Sequence, residues 1–139
     1  MKKLVLLIAA LVVSVNTFSQ VVADDVIGQF WTEKKEGKIE IYKENDIYFG
    51  KIIWRKDARL DTENPDEALR DRSVIGIVFM EDFVFDGGKW VDGEIYSIDN
   101  GNVYASKMWF EDDKDTLKLR GFVGLSLFGK TATLTRVKE

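Results

Sequence analysis

Two alternating apolar–polar runs near the C-terminus constrain the fold more than any other feature. Leu117-Lys118-Leu119-Arg120-Gly121-Phe122-Val123-Gly124 is followed, across a glycine-studded corner, by Leu127-Phe128-Gly129-Lys130-Thr131 and Thr133-Leu134-Thr135-Arg136-Val137. Such alternation suits strands with one buried face. Leu117 and Leu119 make better inward residues than Lys118 and Arg120, although the pattern alone leaves both orientations open. Only Lys138 and Glu139 follow, so the edge of the last strand has no further chain to cover it. Because unpaired edges template aggregation, this strand is expected to pair back onto the first one, at residues 27–32, and close a barrel.

The N-terminus reads as a targeting segment. Met1-Lys2-Lys3 precedes an almost wholly apolar stretch over residues 4–15, too short to span a bilayer and suited to a signal peptide. Cleavage is expected after Ser19, with Thr17 at −3, or as late as Ala23, with Val21 there. Residues 20–139 then form a single exported domain, periplasmic or secreted. The chain has no Cys, which excludes lipid modification at cysteine and disulfides, so the domain depends on its core; about 120 residues suffice for one. Losing Lys2 and Lys3 takes Lys plus Arg from 20 to 18 against 24 acids, moving the formal charge from −4 to −6. An acidic domain without a basic run is a poor partner for nucleic acid or anionic membranes. With no His, the usual general base and zinc ligand are absent too.

Short extended runs separated by turn chemistry indicate an all-β domain. Runs at 27–32, 38–43 and 47–55 form a meander, with Glu44-Asn45-Asp46 as one turn. Residues 56–73 are charged and contain the chain's single Pro. Asn64 as N-cap, Pro65 at N1 and acids in the first turn predict a short helix or helical turn from Pro65 to about Asp71, capping one barrel end. Residues 74–80 form the most apolar run of the mature chain and are expected to be a strand buried on both faces. Asp86-Gly87-Gly88 turns into a strand over 89–98, with Gly93 a candidate bulge. Asp99-Asn100-Gly101-Asn102 is the clearest hairpin loop, and residues 103–111 pair back. About eight strands result, the number at which a closed barrel encloses side chains or one small ligand.

The ordered motifs resemble a bacterial family of exported proteins, domain-of-unknown-function family 2147. They run from Ile27-Gly28, Phe30-Trp31 and Gly37-Lys38 through Ile41-Tyr42, Tyr48 and Gly50-Lys51-Ile52. The loop signature follows as Asp61-Thr62, Asn64-Pro65-Asp66, Leu69-Arg70, Arg72 and Ile75-Gly76. Trp90, Gly93, Ile95-Tyr96, Gly101, Tyr104, Leu119-Arg120-Gly121, Gly124, Leu127-Phe128-Gly129 and Thr135-Arg136-Val137 complete it. The resemblance implies an antiparallel, up-and-down, lipocalin-like (calycin) barrel with no settled function. Calycins typically begin Gly-x-Trp, the Trp closing the barrel base against an Arg of the last strand. Here Gly28-Gln29-Phe30-Trp31 puts Phe30 in that place in the register that best fits the family, with Trp31 as the alternative and Arg136 as the counterpart. Adjacent strand residues face opposite ways, so only one of the two can serve.

Candidate chemistry is sparse. Asp57, Asp61, Glu63 and Asp66 could offer oxygens to a hard cation, but they do not match an EF-hand, and capping and Arg pairing account for most of them. No metal or cofactor is expected. Asp82 with Asp86, or Asp99 with Asp61, could form an acid/base pair if they shared a pocket. Ser73, Ser97, Ser106 and Ser126 have no His to activate them. Arg55, Arg59, Arg70 and Arg72 could hold an anionic head group, though pairing with nearby acids is favoured. Trp54, Tyr48, Trp90, Tyr96, Tyr104 and Trp109, with Arg72 at the mouth, are the candidate ligand-binding residues; their alternative role is to pack the core. Binding of a small hydrophobic molecule without catalysis is the leading reading. An envelope scaffold with a filled barrel is second, and an enzyme using carboxylates or Tyr third. Lys38, Glu40, Lys51, Lys107 and Lys118 in the strands argue against an outer-membrane barrel.

Overall fold

The computed structural model describes residues 20–122 and 129–138. Its strands are β1 (Gly28–Trp31), β2 (Gly37–Glu44), β3 (Ile47–Arg55), β4 (Val78–Asp86), β5 (Lys89–Tyr96), β6 (Val103–Phe110), β7 (Thr116–Phe122) and β8 (Gly129–Arg136). Each pairs antiparallel with the next, and β8 returns to β1 through Phe30↔Arg136 and Trp31↔Thr135. The expected eight-stranded up-and-down barrel is therefore formed, and the terminal strand finds its partner on β1. The N-terminal segment 1–19 and the corner at 123–128, Ser126 included, lie outside the described residues.

Alternation sorts the side chains. In β2, Ile39 and Ile41 are buried while Glu40 pairs with Lys51 of β3 at 3.4 Å on the outside. In β7, Leu117 and Leu119 are buried, and Lys118 and Arg120 donate outward to Thr133 (2.6 Å) and Thr131 (3.0 Å) of β8. The orientation left open by the pattern is thus resolved: the leucines face in.

One end, the base, is filled. A 3-10 turn, Ala23–Val26, enters it and buries Val26 completely among Phe30, Tyr48, Trp90, Met108 and Leu117. Trp90 sits at the centre, its ring 5.1 Å from Phe85 and 5.5 Å from Phe110, and its indole N–H donates to the Ala23 carbonyl at 3.1 Å. The Tyr48 hydroxyl donates to Asp24 at 2.7 Å, which also pairs with Lys43 at 3.0 Å.

Arg136 fastens this plug. Its guanidinium donates to the carbonyls of Asp25 (2.6 Å), Ile27 (3.1 Å) and Lys114 (2.9 Å). It also lies 4.7 Å from the Phe30 ring centroid. Phe30 is fully buried, whereas Trp31 faces outward, edge-on to Trp54 at 6.0 Å with the Lys38 ammonium 4.5 Å over its ring. The arginine thus meets Phe30, not Trp31. Gly28, at φ +145°, permits this approach, because a Cβ there would stand 2.7 Å from the guanidinium.

Three local expectations need correction. The apolar run 74–80 is not a doubly buried strand: β4 begins at Val78 and extends to Asp86. Gly76, at φ +95°, breaks the extended run. Val74 and Ile77 bury themselves against Ile52 from the connecting loop, with Gly76 N–H and Ile77 C=O bonded to the Ile52 backbone. A run of seven apolar residues covers a neighbouring strand end as readily as it forms a strand. The helix or helical turn expected over 65–71 takes its shorter form, a 3-10 turn at Glu67–Leu69, and its cap is Asp66 rather than Asn64. Asn64 is diverted: its amide donates to Asp61 and its oxygen accepts from the Asp66 backbone. The register shift in β5 lies between Trp90 and Gly93, with Asp92 taking the left-handed conformation at φ +58°.

Candidate functional site

The other end of the barrel, where β1–β2, β3–β4, β5–β6 and β7–β8 connect, holds a cavity of about 570 Å³ open to solvent. That is within the range of small-molecule sites, roughly 300–1,000 Å³. Its walls are apolar, built from Ile39, Ile52, Phe79, Ile95, Leu119 and Phe122. Ile39, Ile52, Ile95 and Leu119 are inward residues of strands whose lower halves fill the base, so the lumen is divided between a packed floor and an empty mouth. The rim is polar, with Lys38, Arg55, Ser97, Asp99, Asn100 and Lys130.

The division has a sequence origin. Gly50 and Gly93 leave room for side chains crossing the lumen: a Cβ on Gly50 would stand 2.6 Å from the Met80 sulfur, and one on Gly93 would overlap the Phe83 ring. Met80 and Phe83 are fully buried and belong to the packed base. Nearer the mouth, small residues at Gly121 and Ala132 face the space with nothing to fill it.

The candidate aromatic residues are distributed over three environments. Tyr96 and Tyr104 line the cavity, and Trp54 stands at its rim, 41% exposed. Tyr48 and Trp90 point inward but into the packed base, where they are fully engaged and away from the cavity. Trp109 lies on the outer face, because the inward positions of β6 are Tyr104, Ser106 and Met108; its ring packs under Lys89 and Lys107 at 5.9 and 5.8 Å. Arg72 does not line the cavity either. It is the partner of Asp61.

Asp61 is the hub of the mouth. Though fully buried, it accepts from Tyr96 Oη (2.7 Å), Asn64 Nδ2 (2.8 Å) and Arg72 Nε and Nη2 (both 3.0 Å). These contacts tie the 56–77 loop to β5. Burial opposes ionisation of this carboxyl, but the bonds from Asn64, Tyr96 and Arg72 outweigh it and hold it below the ordinary value of 3.8. Burial, then the bond to Asp61, pushes the Tyr96 hydroxyl up to about 12. The other loop arginines also pair with acids: Arg55 with Asp57 and Arg59 with Asp99, both at 2.8 Å, and Arg70 with Glu67 at 3.7 Å. Asp61 and Asp99 are thus each committed to an arginine rather than to one another. Among the described residues, no group of three or more His, Cys, Asp or Glu side chains is placed to hold a metal ion.

These shifts set a pH window. Asp61 stabilises the fold fully above its unfolded value near 3.8, and that contribution is lost as pH falls through the lowered folded value. Tyr96 contributes fully below 10, and its share is lost as pH rises toward about 12. Asp61→Asn should reduce stability at pH 7 by about 1–2 kcal/mol, the scale of lost charge-assisted hydrogen bonds. It should also flatten the acid limb of a denaturant-midpoint profile; a parallel profile would assign that limb to other carboxylates.

Sequence reasoning did not find the wall residues Ile39, Ile52, Ile95 and Leu119. Alternation marks them as inward but not as mouth rather than base.

Comparison with known proteins agrees with this architecture. No curated protein matches the sequence significantly. Among solved structures, protein HP1028 from Helicobacter pylori, described as belonging to the lipocalin family, superposes with a TM-score of 0.75. The similarity covers 82% of this chain and 84% of that one at 23% identity, a likeness of fold. The described residues contain no helix long and apolar enough to cross a membrane. The family model described as an uncharacterized protein conserved in bacteria (DUF2147) matches residues 28–136, the whole barrel from β1 to β8, and the chain belongs to that family.

Proposed function

We propose that this protein binds a small hydrophobic molecule, without catalysis, in the periplasm. The observation that carries the reading is the apolar, solvent-connected cavity of about 570 Å³ above a packed floor. An interior emptied on one side only is a poor way to stabilise a barrel, since unfilled apolar volume forfeits dispersion contacts; a ligand restores them. The periplasmic setting rests on the charged and apolar pattern of residues 1–19. Cleavage after Ser19 suits the fold better than cleavage after Ala23. Val21 and Ala23 pack against the core and the Ala23 carbonyl accepts from Trp90, so the later cut would remove part of the plug.

Native mass spectrometry of protein purified from its own periplasm tests the proposal directly. A retained small molecule supports it, whereas a clean apo mass with a co-purifying protein would replace it with the scaffold reading. Gly121→Leu provides an independent check. A Cβ at Gly121 meets only ordinary contacts, at 3.6 Å from Tyr104 and 3.7 Å from Ile95, so the larger side chain should enter the cavity and leave the barrel folded. Affinity for a neutral apolar dye such as N-phenyl-1-naphthylamine should fall at least about tenfold, the scale of losing a buried leucine-sized contact. Unchanged dye binding would place the apolar site elsewhere.

A further inference from the structure

We propose that the ligand carries an oxyanion head group, a carboxylate or phosphate monoester, seated over Gly121 between Lys130 and Tyr104. The inference rests on the binding function proposed above and specifies the ligand class. In β8 the lumen-facing row reads Leu134, Ala132, Lys130: Leu134 is buried opposite Leu117, Ala132 pairs with Leu119, and Lys130 pairs with Gly121. Cross-strand partners share a face, so Lys130 is the continuation of the barrel's apolar inner row, reached at the mouth. It lines the cavity and has no acidic partner among the described residues. Several cations of this end are already engaged: Arg55, Arg59, Arg70 and Arg72 are each matched to an acid, and Lys38 lies over Trp31. An unpaired cation on the inner row is notable in a chain whose formal charge is −4.

The geometry around it is that of a seat. Lys130, Gly121 and Ser106 are in register across β8, β7 and β6. Tyr104 flanks the same point, its Cβ 3.6 Å from where a Gly121 side chain would begin. Because Gly121 contributes no side chain, the inner row is left open between Lys130 and the β6 pair Tyr104 and Ser106. The Tyr104 hydroxyl accepts from Asn100 Nδ2 at 2.8 Å, which leaves its own hydrogen to donate. An ammonium and an O–H donor on residues that line the same mouth match an acceptor-only head group. Below them, Ile95, Leu119 and Ile39 receive the tail. The lining of β7 from Leu119 to Phe122 spans about 10 Å of strand, at roughly 3.3 Å per residue, and the apolar lining beside it suits an alkyl tail.

Displacement of N-phenyl-1-naphthylamine by decanoate, decyl phosphate, decanol and decyltrimethylammonium, all with the same tail, tests this. Decanoate or decyl phosphate should bind about tenfold more tightly than decanol, the scale of a charged hydrogen bond, and the ammonium ligand more weakly than either. Whichever anion binds more tightly identifies the head group. Lys130→Ala should abolish the preference while decanol affinity stays within about twofold, and Lys130→Arg should restore it. Tyr104→Phe should weaken the anion alone. Equal affinity for all four ligands, or a preference that survives Lys130→Ala, would overturn the head-group assignment and leave the apolar site standing. Binding of neither the dye nor any ligand would overturn the binding function itself.

Discussion

Replacing Arg136 with Ala should lower stability by about 3 kcal/mol. Three backbone carbonyls, on Asp25, Ile27 and Lys114, would lose their donor together. A hydrogen bond involving a charged group contributes about 1.5–3 kcal/mol. The guanidinium is 22% exposed, so water recovers part of that loss. Its contact with the Phe30 face adds about 0.5–1 kcal/mol. In thermal unfolding the variant should melt about 10–15 °C lower. Arg136→Lys should recover only a minor part, because one ammonium cannot replace a planar fork that reaches three carbonyls. A loss below about 1 kcal/mol would show that the Val26 plug holds by apolar burial alone.

Gly93→Val should cost nearly as much, about 3 kcal/mol, for a different reason. The space a side chain would take at Gly93 is already occupied by the ring of Phe83, which is fully buried. Overpacking typically costs 1–3 kcal/mol, and expelling the ring would expose about 2–3 kcal/mol of apolar burial. Pairing the change with Phe83→Ala gives a double-mutant cycle. If the clash is the cause, the double variant should be more stable than the sum of the single effects predicts, by at least about 1 kcal/mol. Strict additivity would instead point to the conformation of β5 itself.

The barrel was legible in the sequence because each strand declares its faces. Leu117, Leu119 and Leu134 alternate with Lys118, Arg120 and Thr135, and the structure pairs β8 with β1. The extent of β4 was not legible. Asp82 takes a left-handed conformation at φ +65° in mid-strand, which breaks the alternation that would have marked residues 78–86, while residues 74–77 offered an apolar run that belongs to a loop. The mouth was harder still. Asp61 is an unremarkable acid in a charged stretch, and its role depends on Tyr96, 35 residues away. Likewise, no periodic pattern distinguishes Tyr48 and Trp90, which fill the base, from Tyr96 and Tyr104, which line the cavity. Only the height of each residue along the barrel axis separates them. Trp109 is a simpler case: counting alternate positions back from Met108 places it outside.

The Arg136 clasp has a kinetic corollary. Its bonds to Asp25 and Ile27 span 111 and 109 residues, so neither the plug nor β1 gains its full set of contacts until β8 has formed. Seven of the eight strand pairings join neighbours in sequence and can form locally, whereas the eighth must close a ring nearly as long as the domain. Closure entropy of that size retards folding. The open-ringed chain, with β1 and β8 both unpaired, is therefore the state in which this protein is most exposed to association with copies of itself.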